Sequence, residues 1–166
     1  MQFVSPGLRK FLSLVTIVSF FGIQPTFAAL VLNNGNFSDT SGMTNAGGGW
    51  YHGNPNSWTA NGTNQFVINN NVLNLDQVGT FTQNIGTVAN GGEKITISFD
   101  YGDLWNGGYY APNENMILAQ LWDTTSSNLL ASKTVKNTAS FGTMDSTSFS
   151  NTIPATVGHT IELRFT

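Results

Sequence analysis

In EKITISFDYG, the residues Ile95, Ile97, Phe99 and Tyr101 alternate with Thr96, Ser98 and Asp100. A period of two puts successive side chains on opposite faces of an extended strand, so this segment has one apolar face for a core and one polar face for water. The same alternation returns in HTIELRF, where Ile161, Leu163 and Phe165 oppose Thr160, Glu162 and Arg164. It returns again in GTFTQNIG, where Phe81 and Ile85 oppose Thr80 and Thr82. Strands that bury only one face must lay that face against something. The economical solution is two packed antiparallel sheets rather than a single open one.

The rest of the chain fits this scheme. Leu30 to Leu32 opens the strand series. QFVINNNVLNLDQ predicts a strand, an Asn-rich turn and a second strand, because Asn tolerates the left-handed backbone that tight hairpins need. MILAQLWDTTSSNLLASKTV repeats this logic around a Thr/Ser/Asn turn, with Trp122 assigned to the core beside Leu118. No segment after the first 28 residues has an amphipathic helical period. The expectation is an all-β, two-sheet antiparallel β-sandwich of about nine strands, a single domain without repeat or linker. Two longer loops interrupt it: Asn33 to about Ser57, and DLWNGGYYAPNEN from Asp103 to Asn115. Loops of that length within a small domain often carry function.

The first segment has a different character. Arg9 and Lys10 precede FLSLVTIVSFFGI, an apolar run that is short of the roughly 20 residues of a spanning helix, and QPTFAA follows with small residues. This is the pattern of a secretory leader, residues 1–28, with the mature domain spanning 29–166 and no membrane span after cleavage. The expected location is secreted or cell surface. Loss of the leader removes two of six basic residues and none of nine acidic ones, which leaves four against nine, a net charge of −5. Nucleic acid is thereby excluded as an expected partner. Charged residues are only 9% of the chain, so Asn, Thr, Ser, Gln and Gly must cover the surface, which suits contact with neutral polar polymers. With no cysteine, the fold must hold by burial, and ~138 mature residues suffice for that.

NNGNF, GW at Gly49 and Trp50, SWTANG at Ser57 to Gly62, and VGTFTQNIGTVANGGEKITISFDYG together resemble the jelly-roll domains of the galactose-binding-like superfamily. The closer likeness is to secreted bacterial versions that precede a sorting anchor and to carbohydrate-binding modules related to them. The resemblance spans nearly the whole mature chain. It implies a jelly roll, glycan contact through loop or concave-face aromatics, structural positions for Trp50 and Trp58, and a structural calcium near the N-terminal loop, with Asn36 and Asp39 as ligands. Two departures bear on this. Ser38 stands where relatives often carry a carboxylate, and the chain stops in or just after HTIELRF, so the domain is expected to be truncated at its C-terminus relative to that pattern.

Sugars offer apolar C–H faces to aromatic rings and hydroxyls to amides and carboxylates. The second loop supplies both, so Trp105, Tyr109 and Tyr110, with Asp103 and Asn106, form the expected site for a neutral glycan. Tyr51 and His52 of the first loop are expected to face outward, and His52 lacks a second His or Cys at a ligand spacing. The competing expectation is a structural component of a cell envelope or extracellular matrix whose rings serve packing. A glycoside hydrolase is the third. Asp100 and Asp103 lie at an odd offset, which would point them to opposite faces, and HExxH, GxSxG and phosphate-binding glycine loops are absent, so no catalytic residue is assigned.

Overall fold

The computed structural model describes residues 9–19, 30–62, 67–69, 72–76, 79–89, 91–92, 94–103, 116–136, 143–152 and 157–166. Among them every regular element is a β-strand, and the twelve strands fall into two sheets in which each pairing is antiparallel. One sheet holds β1 (Arg9–Ser19), β2 (Thr44–Gly47), β3 (Trp50–His52), β5 (Val67–Asn69), β6 (Val72–Asp76), β8 (Lys94–Asp103) and β11 (Thr143–Thr152), in the order β11-β8-β1-β6-β5-β3-β2. The other holds β4 (Thr59–Gly62), β7 (Gly79–Thr87), β9 (Met116–Asp123), β10 (Asn128–Lys136) and β12 (Thr160–Phe165), in the order β10-β9-β12-β7-β4.

The alternating segments become the centre of this two-layered, sandwich-like arrangement. From β8 come buried Ile95, Ile97 and Phe99; from β12, Ile161, Leu163 and Phe165; from β9, Ile117, Ala119 and Leu121. The sheets meet through the rings of Phe99 and Phe165, 5.4 Å apart and edge to face. Burial of a Phe or Leu side chain contributes about 1.5–3 kcal/mol, and this shared layer supplies the largest favourable term available to a chain without disulfides.

Both expected strand pairs are present. Asn69 pairs with Val72 between β5 and β6, and Asp123 with Asn128 between β9 and β10. The second turn carries Ser127 at φ 58°, and the Asp123 carboxylate accepts hydrogen bonds from the backbone N–H groups of Thr125 and Ser126 at 3.0 and 3.1 Å. An acidic side chain that caps its own turn in this way sets the reversal locally.

Five strands lie outside the expected series, β4 and β11 among them. The ribbon of β2 and β3 falls within the first loop, and β1 falls within the apolar segment read as a leader. Here that segment is a strand between β6 and β8, with Val15 opposite Phe99 and Ile17 opposite Ile97. Its β-branched residues suit an extended chain as well as they suit a leader. Leu30 to Leu32, expected as a strand, is not part of either sheet, although Val31 N–H donates to the Ile85 carbonyl at 2.7 Å.

Trp122 corrects an expectation. On β9 the buried positions are Ile117, Ala119, Leu121 and Asp123, so Trp122 and Leu118 take the opposite, half-buried face. The pleat fixes this phase for the whole strand, and one large ring cannot overrule four inward neighbours.

Candidate functional site

Of the expected glycan site, Trp105, Asn106, Tyr109 and Tyr110 lie outside the described residues. Asp103 ends β8, where its backbone stands opposite Thr143. The strand leading to it is tightly held. Tyr101 is half-buried, with its ring 6.1 Å from Phe99, and Gly102 is buried where a Cβ would come within 2.3 Å of the Thr143 carbonyl oxygen. Only glycine allows β11 to approach this closely. Asp100 is half-buried and accepts a hydrogen bond from Ser146 Oγ across the same pair of strands at 2.5 Å.

The N-terminal loop folds around Phe37. This ring is fully buried between Trp58 at 5.6 Å and Phe81 at 5.9 Å, and its backbone takes a left-handed φ of 54°. Such a conformation in a bulky residue is strained and persists only where its surroundings enforce it. Asn34 does so. It accepts the Phe37 N–H on its carbonyl at 3.1 Å and the Trp58 indole N–H on the same oxygen at 3.2 Å. Its side chain exchanges hydrogen bonds with the Asp39 backbone, both at 2.9 Å.

The two expected calcium ligands belong to this network. Asn36 Oδ1 accepts from Ser38 Oγ at 2.9 Å and from Ser38 N–H at 3.3 Å. Asp39 accepts Ser41 N–H on one oxygen at 2.9 Å and Asn56 Nδ2 on the other at 2.5 Å. Hydrogen bonds from the Ser41 side chain, from Asn56 and from the Ser41 backbone hold the Asp39 carboxyl below the usual carboxylate range. Among the described residues no three His, Cys, Asp or Glu side chains converge. A hard dication needs several free oxygen ligands, so this donor set, with one carboxylate already engaged on both oxygens, fits calcium poorly.

Three groups that the sequence did not single out carry much of the polar geometry. Gln83 is 2% exposed and ties β7 to the N-terminal loop, accepting from Asn33 N–H and donating to the carbonyls of Asn33 and Ser57. Asp123, also buried, lies 2.7 Å from His159 Nδ1 and accepts from Ser126 Oγ at 2.6 Å. Ser126 hydrogen-bonds the carboxylate rather than the imidazole, so the three do not form the relay of a nucleophilic triad.

The third group occupies the outward face of the five-stranded sheet. Arg164 lies over the Trp122 ring, 4.9 Å from its centroid, and donates to Glu162 Oε1 from Nε at 3.2 Å and from a terminal nitrogen at 2.6 Å. Strand pairing aligns Trp122 with Glu162 and with Leu129, and Arg164 with Gln120 and Thr82. Leu129 is 46% exposed. The result is an indole and a leucine beside guanidinium, carboxylate and amide groups, all on paired strands, with Thr82 buried next to them. The indole Nε1 is buried without a hydrogen-bond partner among the described residues. A two-residue period on β9 and β12 was the available signal for this face.

Trp58 is buried and stacks on Phe81, 4.5 Å between centroids and 6° between planes. Tyr51 and His52, expected to face outward, are half-buried where β3 pairs with β2 and β5. No protein-family model, curated protein or solved structure matches the chain.

Proposed function

We propose that the chain is a secreted, non-catalytic carbohydrate-binding module of the galactose-binding-like jelly-roll type, which takes neutral glycans. The observation that carries this reading is the outward face around Trp122, where a ring, the Arg164–Glu162 ion pair and the Gln120 amide sit side by side on paired strands. Ring sugars need that pairing of apolar surface with convergent polar groups. The low charge of the chain supports the same partner class, and the leader-like residues 1–28 support export. Trp105, Tyr109, Tyr110, Asp103 and Asn106 extend the proposal to the loop after β8.

A structural role in a cell envelope or matrix is the second reading. It is favoured by the way the aromatic residues are spent: Phe37, Trp58 and Phe81 all pack inside, and Arg164 already covers one side of Trp122. A glycoside hydrolase is the third and has least support. Affinity electrophoresis of the full chain in gels containing neutral polysaccharides separates the first two. Retardation that is lost in Trp122→Ala places binding on the sheet face; loss in Trp105→Ala places it on the loop. Unretarded migration on every neutral polysaccharide favours the structural role.

A further inference from the structure

β1 is held between two strands that run the same way. It is antiparallel to β6, from Arg9 opposite Asp76 to Leu12 opposite Leu73, and antiparallel to β8, from Phe11 opposite Gly102 to Ser19 opposite Ile95. Hence β6 and β8 are parallel to each other with one strand's width between them. Strands lie about 4.8 Å apart, so β6 and β8 are separated by about 9–10 Å, too far for direct hydrogen bonds. With β1 withdrawn, the edge of β8 from Ile95 to Gly102 and the edge of β6 from Leu73 to Asp76 would carry unpaired backbone groups, the two rows overlapping where Phe11 and Leu12 lie.

The register also selects what fits there. Val15 and Ile17 stand opposite Phe99 and Ile97, which are buried, while Thr16, which is exposed, stands opposite Ser98. An irregularity between Leu12 and Val15 brings Leu12 opposite Tyr101. The shift of one residue, as in a β-bulge, places Leu12, Val15 and Ile17 opposite Tyr101, Phe99 and Ile97, while Val18 stands opposite Thr96 and Ser19 opposite Ile95.

We propose that the space between β6 and β8 is an acceptor slot for one extended apolar strand, and that its occupant is this chain's own Arg9–Ser19, which stays bound after the chain is cut between residues 20 and 29. Main-chain pairing with β8 over Phe11–Ser19 and with β6 over Arg9–Leu12 supplies affinity, and the sequence at the positions opposite Phe99 and Ile97 supplies selectivity. The segment that resembles an export leader then has two mutually exclusive fates. It is either drawn out and removed before folding, or built into the sheet. This inference does not depend on glycan binding.

The test uses the full chain with a specific protease site placed within residues 24–27. After cutting, the 1–28 piece is expected to co-elute one to one with the body at monomer size in gel filtration, with both masses found in that peak. Added synthetic RKFLSLVTIVS is expected to displace it, and the same peptide carrying Val15→Asp and Ile17→Asp to do so at least tenfold less well. Release of the piece on cutting, with the body keeping the melting temperature of the uncut chain, overturns the proposal, as does a dimer formed by exchange between two copies. Hydrogen exchange of uncut Ile17→Pro gives a second measurement. The β8 amides bonded to β1 should exchange at least tenfold faster while those bonded to β11 stay protected; unchanged protection of both sets overturns the proposal.

Discussion

Asp123 Oδ2 lies 2.7 Å from His159 Nδ1, and this contact joins the end of β9 to the start of β12 across 36 residues of sequence. Burial alone would push the Asp123 carboxyl up. Hydrogen bonds from the side chains of His159 and Ser126 and from the Ser126 backbone outweigh it and hold the group down at about 2, against an ordinary value of 3.8. A carboxyl depressed in the folded state stabilises fully above its unfolded value and loses that contribution as pH falls towards its folded one. Stability from this group is therefore expected to be intact above pH 3.8 and to drain away between pH 3.8 and about 2. Asp123→Asn should cost about 1 kcal/mol at neutral pH and flatten that acid limb. Urea unfolding at a series of pH values measures both; an unchanged acid limb in the variant contradicts the assignment.

Trp58 should be among the costliest residues to truncate. Its indole stacks on Phe81, lies 5.6 Å from Phe37 and donates to the Asn34 carbonyl, so it braces the loop that keeps Phe37 in its left-handed conformation. Trp58→Ala is expected to lower stability by about 3–5 kcal/mol, through lost burial and the cavity left behind. Trp58→Phe should recover more than half. Denaturant midpoints at constant slope provide the comparison.

Gly102→Ala is expected to loosen one edge of the larger sheet. The added carbon would meet the Thr143 carbonyl oxygen at 2.3 Å and the Met144 sulfur at 2.7 Å, and a backbone oxygen cannot swing aside as a side chain can. Separation of β8 from β11 should cost about 1–3 kcal/mol. Faster exchange of β11 amides, with β12 unaffected, would locate the damage; full protection of β11 would show that the strands accommodate the methyl group.

The N-terminal loop is closed by its own hydrogen bonds, so a chelator is expected to leave the melting temperature unchanged. Asp39→Ala removes the acceptor for Ser41 N–H and Asn56 Nδ2 and should lower stability by about 1 kcal/mol with or without chelator. A melting temperature that rises with added calcium and falls with chelator would restore the ion to this loop, because an ion bound only by the folded form stabilises it by mass action.

Strand character was legible wherever one face is buried. ITISFDY and HTIELRF announce β8 and β12, and the residues they place inward, Ile97, Phe99, Leu163 and Phe165, are the ones that meet in the core. The Thr/Ser/Asn turn announces the β9–β10 hairpin, because turn conformation is set by a few adjacent residues. Trp122 was misplaced for an instructive reason. A large ring suggests a core position by type, but its face follows from the inward phase of Ile117, Ala119 and Leu121, and that phase is visible only when the strand's exact span is known.

The sequence by itself determined an all-β chain with two-faced strands, because a period of two is a property of neighbours along the chain. Tertiary structure alone decided that Asp123 meets His159, that Gln83 anchors a loop 50 residues away, that Arg164 covers Trp122, and that Arg9–Ser19 fills the space between β6 and β8. Those contacts depend on strand order and register. Both are settled by how two whole sheets bury their faces against each other, and no local pattern of residues encodes them.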